Sequence, residues 1–177
     1  MTTETARILI TTVVFIQLFG AILTFTPVRD RKRGGYGTLA LLSFAIVLAG
    51  ARLSELFKPA QYPGIAILAA SVLLFLWARI TIKGKFFSYI SSTDVPQFVC
   101  TEGPYRWIRH PFYASYLLTL VAVTLMFPNY ITVIATIVAI ISFTHAAKFE
   151  ESKFEGSPVA SEYAAYMRRT GRFLPFV

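Results

Sequence analysis

Between residues 101 and 115 the sequence reads Thr-Glu-Gly-Pro-Tyr-Arg-Trp-Ile-Arg-His-Pro-Phe-Tyr-Ala-Ser and then becomes apolar. Arg109 and His110 can donate to an anion, and Pro111 suits a helix's first turn because its missing N–H would lack a partner there anyway. The free amides of that turn, with two basic side chains beside them, make a site for an anionic group. The plain alternative is that Arg106 and Arg109 only reach for lipid phosphates. A second cluster, Glu150 and Glu151 with Glu155 about one turn on, follows a long apolar run. A helix's carboxyl end disfavours carboxylates by roughly 0.3–1 kcal/mol. Stability alone would not select an acidic pair there, unless the helix simply continues into water.

Gathered at one end of the fold, the two clusters would hold a small zwitterion with a positive centre. S-adenosylmethionine is one such molecule: its carboxylate suits Arg109 and His110, and its ammonium, sulfonium or ribose hydroxyls suit Glu150 and Glu151. Spacing does not separate it from other zwitterions. In a transfer from a sulfonium, an ionised carboxylate acceptor needs no base. A phenol, enol, thiol or amine does, and His110 and His145 are the two near-neutral side chains available. His145 reads more simply as a histidine packed at a helix end.

The elements that must carry these clusters are membrane helices. The chain has 177 residues, 55% apolar and 15% charged, with a mean hydropathy of +0.60, too apolar for a soluble domain of this size. Uncharged runs cover residues 8–28, 34–51 and 59–78, each long enough at about 1.5 Å per residue to cross a core of roughly 30 Å. The first exceeds a signal peptide's apolar stretch and ends in Arg-Asp-Arg-Lys-Arg, which reads as an anchor. Arg52 and Glu55 stand at the spacing of an interfacial ion pair.

Residues 111–144 form a run without formal charge, about 51 Å as one helix. It should fold back at Pro128-Asn129 into two closely packed antiparallel helices, 111–127 and 130–147. Residues 83–100 read as an interfacial loop or short amphipathic helix. Residues 161–169, with Tyr163, Tyr166 and Met167 at helical spacing, read as a short surface helix closed by Gly171 and Pro175. The fold expected is all-α: one membrane domain, 1–177, with three spans in 1–82, a functional part in 83–177 built on the hairpin 111–147, and five transmembrane helices in all.

Fourteen of the 17 Lys and Arg residues fall in 29–33, 79–110 and 148–172. The positive-inside rule then puts the amino terminus outside and the carboxyl terminus in the cytoplasm. It also places both reactive clusters on the cytoplasmic face. The net charge of +8 is spread between apolar runs rather than over one basic face, so nucleic acid is not an expected partner. One cysteine excludes an internal disulfide, and with two histidines it offers no tetrahedral metal set. The spans carry no formal charge, which argues against a transporter.

The run Gly-Pro-Tyr-Arg-Trp-Ile-Arg-His-Pro-Phe-Tyr, the hairpin, Glu150-Glu151 and the tail Glu-Tyr-Ala-Ala-Tyr…Arg-Phe-Leu-Pro-Phe resemble the isoprenylcysteine carboxyl methyltransferase family, to which phospholipid methyltransferases are also similar. The resemblance covers roughly the last eighty residues; the first three helices match only in being spans. It implies an integral membrane methyltransferase, bacterial and of the inner (plasma) membrane. S-adenosylmethionine would be bound at the cytoplasmic face, leaving as S-adenosylhomocysteine, with no metal. It implies cofactor contacts at Gln97, Phe98, Val99, Cys100, Tyr105, His110, Pro111, Phe112, Tyr113 and Glu150, with Glu151 in support, and a catalytic set of Arg109, His110, Tyr113 and Glu150. His145 and Lys148 are weaker candidates for touching the acceptor.

The acceptor implied is lipophilic, arriving through the bilayer, with carboxyl or hydroxyl O-methylation ahead of phospholipid amine N-methylation or thiol S-methylation. A scaffold or sensor that keeps the fold without catalysis is the alternative outside enzymes. In the prenylcysteine branch an arginine one turn before the acidic pair holds the acceptor's carboxylate; here Ala146 stands there. Ser157-Pro158 likewise replaces a usual Phe-Gly.

Overall fold

The computed structural model describes residues 1–24, 35–83 and 95–175, which form six α-helices and two 3-10 turns with no strand among the described residues. The helices are α1 (Thr3–Thr24), α2 (Gly35–Arg52), α3 (Gln61–Ile82), α4 (Pro111–Met126), α5 (Tyr130–Ser152) and α6 (Ala160–Met167), with 3-10 turns at Lys58–Ala60 and Gly103–Arg106. The described residues are therefore all-α, as expected. Thr3–Ala21, Lys58–Ile82 and Tyr130–Ser152 are long and apolar enough to cross a membrane, whereas Leu42–Arg52 and Pro111–Met126 are shorter apolar helices. The basic loop at 29–33 and residues 84–94 of the expected interfacial segment lie outside the described residues.

Apolar side chains would be equally comfortable against lipid, so close fit and buried polar contacts decide which helices pair. The two arms of the hairpin were expected to pack closely. They do touch, but α4 lies chiefly on α3 and α5 chiefly on α2. Gly64 is one reason: a Cβ there would stand 2.3 Å from Met126 Cγ, so a side chain at this point of α3 would displace the Met126 side chain that α4 packs over it.

A polar node fixes α1 against the same pair. Gln17, Ser71, Ser115 and Thr119 are fully buried, and Thr119 Oγ1 lies 2.9 Å from Gln17 Oε1 and 3.0 Å from Ser71 Oγ. No water reaches such a depth in a bilayer, so groups placed there must satisfy one another.

Two ends of the bundle result. At one, Asn129 caps α5, accepting from the Ile131 and Thr132 amides at 2.9 and 3.0 Å while its own amide returns to the Gly50 carbonyl at 3.1 Å. Arg7 donates there to the carbonyls of Ala51, Arg52 and Ser54, closing α2. Glu55 accepts from the Thr3 hydroxyl (2.9 Å) rather than pairing back with Arg52. At the other end, the end of α3, the start of α4, the end of α5 and the segment after α6 converge.

Candidate active site

The converging end starts from a turn that only glycine can make. Gly103 has φ +53, and a Cβ on it would lie 2.2 Å from Thr81 Oγ1 in the last turn of α3. The turn therefore sits hard against α3, and Trp107 reaches Trp77 with ring centroids 5.7 Å apart. Tyr105 is buried in the turn, its carbonyl accepting the Tyr166 hydroxyl of α6 at 2.6 Å. Burial, with the neighbouring Cys100 and Tyr166, pushes the Tyr105 hydroxyl well above its usual pKa, so it stays neutral.

From this turn the chain enters α4 without a side-chain cap, His110 occupying the capping position and Pro111 the first turn. On the facing side α5 runs on to Ser152, past Ala147, so Glu150 and Glu151 belong to its final turn. The basic and acidic clusters meet here. Arg109 Nε donates to Glu151 Oε1 at 2.8 Å, and His110 Nε2 lies 3.2 Å from the same oxygen. His110 Nδ1 lies 3.3 Å from Glu150 Oε2, and the Tyr113 hydroxyl donates to Glu150 Oε1 at 2.7 Å.

His110 thus lies between two carboxylates. Burial alone would lower its pKa, but the bonds to Glu150 and Glu151 outweigh burial and raise it above the usual value. Its ring stacks on Tyr113 with centroids 5.4 Å apart, and beneath that stack Tyr113, Phe143, Tyr116 and Phe75 pack ring against ring. A charged cluster therefore rests on an aromatic floor drawn from α3, α4 and α5.

The two carboxylates differ in what they have left to offer. Glu151, 8% exposed, accepts from Arg109, His110 and Arg172; Glu150, 26% exposed, has spare accepting capacity toward the surface. Arg172 comes from the tail, where Ile108 and Gly171 form an isolated parallel bridge. The sequence reading missed this residue. Its signal was its place in the tail Arg-Phe-Leu-Pro-Phe, which carried part of the family resemblance but no assigned role in the site.

The remaining expected residues fall unevenly. Pro111, Phe112 and Tyr113 are buried in the first turn of α4, and Cys100 is buried close to Tyr105 and Tyr166. Val99 is half-buried and Phe98 exposed, while Gln97 is exposed with its amide donating to the Val95 carbonyl at 3.0 Å. His145 and Lys148 are exposed on α5, off the buried face formed by Ala139, Ser142, Phe143, Ala146 and Ala147. Lys148 borders an open recess of about 510 Å³ on the α6 side of Glu151.

Ala146 is 1% exposed and packed in the core. Ser157 closes the turn after α5 through its hydroxyl, which donates to the Phe154 carbonyl at 2.9 Å. In α6, Tyr163 and Tyr166 are buried, Tyr163 stacking on Phe154, but Met167 faces outward rather than joining them. Among the described residues no group of three or more His, Cys, Asp or Glu side chains could hold a metal ion.

The model of the isoprenylcysteine carboxyl methyltransferase family matches residues 64–155, a little over half of the chain. The match begins early in α3, nearer the amino terminus than the motif resemblance reached, and stops before α6 and the tail. No curated protein and no solved structure matches the chain.

Proposed function

The chain belongs to the isoprenylcysteine carboxyl methyltransferase family of membrane methyltransferases, and from that premise we propose that it transfers a methyl group from S-adenosylmethionine to a lipophilic acceptor at the cytoplasmic membrane face. The observation that carries the proposal is the junction of Arg109, His110 and Tyr113 with Glu150 and Glu151 at one end of the bundle.

The side chains present suit that cofactor. Glu150 keeps a partly exposed carboxylate for an ammonium, the uncapped start of α4 suits a carboxylate, and aromatic faces beside them suit a positive sulfur centre. When bound, S-adenosylmethionine would supply the methyl group by in-line displacement at carbon, leaving S-adenosylhomocysteine. The residues then have to orient rather than to react. Tyr113 holds Glu150 in place, the two carboxylates hold the His110 ring between them, and the aromatic tier excludes water from beneath. Gln97, Phe98, Val99 and Cys100 would border the cofactor on the approach, with Tyr105, Pro111 and Phe112 lining the turn.

In this reading the protein is one membrane domain with five spans, amino terminus outside, and 83–177 as the catalytic part. The acceptor would reach the site sideways from the bilayer. A carboxyl or hydroxyl oxygen is the acceptor proposed; Lys148 borders the recess beside Glu151 and His145 is exposed off the buried face of α5, so they would touch only a bulky acceptor. Membranes containing the protein, incubated with methyl-labelled cofactor, should yield one labelled lipid-extractable product absent with Glu150→Gln. Label on an amine or a thiol would move the acceptor class, and no label in any extract would remove the enzyme reading.

A further inference from the structure

Two consecutive tail residues hold His110 from three directions. The Arg172 carbonyl accepts the His110 amide at 3.0 Å. The Arg172 guanidinium meets both oxygens of Glu151, at 2.7 and 3.2 Å, and Glu151 is the carboxylate on which His110 Nε2 rests. Phe173 sets its ring edge-on to the imidazole with centroids 6.2 Å apart. Just before them, the Gly171 carbonyl takes the Arg109 amide at 2.8 Å and the Gly171 amide donates to the Trp107 carbonyl at 3.1 Å. None of these tail residues falls within the matched segment 64–155.

Building on the reading of this junction as a cofactor site, we propose that Arg172 is a positioning residue: it locks Glu151, and through it the His110 imidazole, so that Glu150 alone is left to face a ligand. The reason lies in geometry. A planar guanidinium fork orients both oxygens of a carboxylate at once, which a single donor does not. Without it, Arg109 and His110 would hold only Oε1, and the Glu151 carboxylate could turn about its last torsion and carry away the partner of His110 Nε2. Arg109 could not compensate by moving, because its Nη1 is engaged by the carbonyls of Met167 and Thr170. Glu151 is thus the fixed post of the site and Glu150 its working acid.

The sequence holds two histidines, so nitrogen-labelled histidine spectra of the full-length protein in nanodiscs read one ring inside the junction and one, His145, outside it. With Arg172→Met the His110 ring resonances should move while those of His145 stay, and affinity for S-adenosylhomocysteine should fall about tenfold, as for a lost bond to a charged group. A folded Arg172→Met protein with wild-type affinity and unmoved His110 resonances overturns the proposal. So does a lowered Tm with the His110 resonances in place, which would make the tail a mere brace. If Arg172→Met does not fold, Arg172→Lys is read instead. One ammonium cannot span both oxygens, so a several-fold loss of affinity with displaced His110 resonances is expected, and wild-type values for both overturn it. If the wild-type protein itself binds no S-adenosylhomocysteine, the cofactor reading fails, while the His110 spectrum still decides the role of Arg172.

Discussion

The two ends of the hairpin formed by α4 and α5 are built by opposite rules. At its tip α5 begins with an Asn129 capping box, in which Thr132 Oγ1 returns the bond by accepting the Asn129 amide at 3.2 Å. Arg7 closes the neighbouring end of α2 against three carbonyls. Cation at a carboxyl end and side-chain oxygen at an amino end are what helix electrostatics favours. At the root the signs are reversed. A histidine that holds its proton more tightly than usual stands where α4 presents its positive end, and two carboxylates stand where α5 presents its negative end. Each placement costs a few tenths of a kcal/mol or more against the helix dipole, recovered only because the misplaced charges meet one another. The tip is arranged for stability; the root keeps charges in a place where they can be used.

Breaking that contrast should cost most at Glu151. Glu151→Gln leaves two guanidinium groups and His110 facing a neutral amide at a site 8% exposed, and a loss of about 3 kcal/mol follows. Thermal unfolding in detergent would show it as a large drop in Tm; a change no bigger than that of Glu150→Gln would mean the two acids are not divided as described. The tip offers the complementary case. Asn129→Ala removes the cap of α5 and should cost about 1 kcal/mol, leaving S-adenosylhomocysteine affinity at the wild-type level. Weakened binding in that variant would show that the two ends are not independent.

The smallest effect concerns pH. Glu150 and Glu151 from α5 and Tyr113 from α4 face the His110 ring, with Arg172 beyond Glu151. The folded protein holds the His110 proton more tightly than the unfolded chain does. The stability this contributes is complete below a pH of about 6.5 and is lost as pH climbs through the raised native value. Tm should decline across that window and do so less steeply in His110→Asn; identical slopes would contradict the placement of His110 between two carboxylates.

Much of this arrangement was legible in the sequence because it depends on local signals. Pro128 and Asn129 break a run too long for one span, Pro111 marks a helix start, and charge type alone picks out Arg109, His110, Glu150 and Glu151. The partner choice of the helices was not legible. Hydropathy reads 111–126 and 130–147 as equivalent apolar stretches, whereas the pairing depends on a missing side chain at Gly64 under Met126 and on single polar residues such as Gln17 and Thr119. Those residues vanish in any averaged hydropathy. Arg172 escaped for a related reason: it meets Glu151 only because α6 turns the chain back, with Tyr166 anchored on Tyr105.

The methyltransferase reading rests on Glu150 being the acid that a bound nucleoside ligand touches. Isothermal titration of the purified protein with S-adenosylhomocysteine, wild type beside Glu150→Gln, tests this directly. Binding to the wild type and no measurable heat with a Glu150→Gln protein of near-wild-type Tm is the predicted result. Wild-type affinity in the folded variant would contradict it.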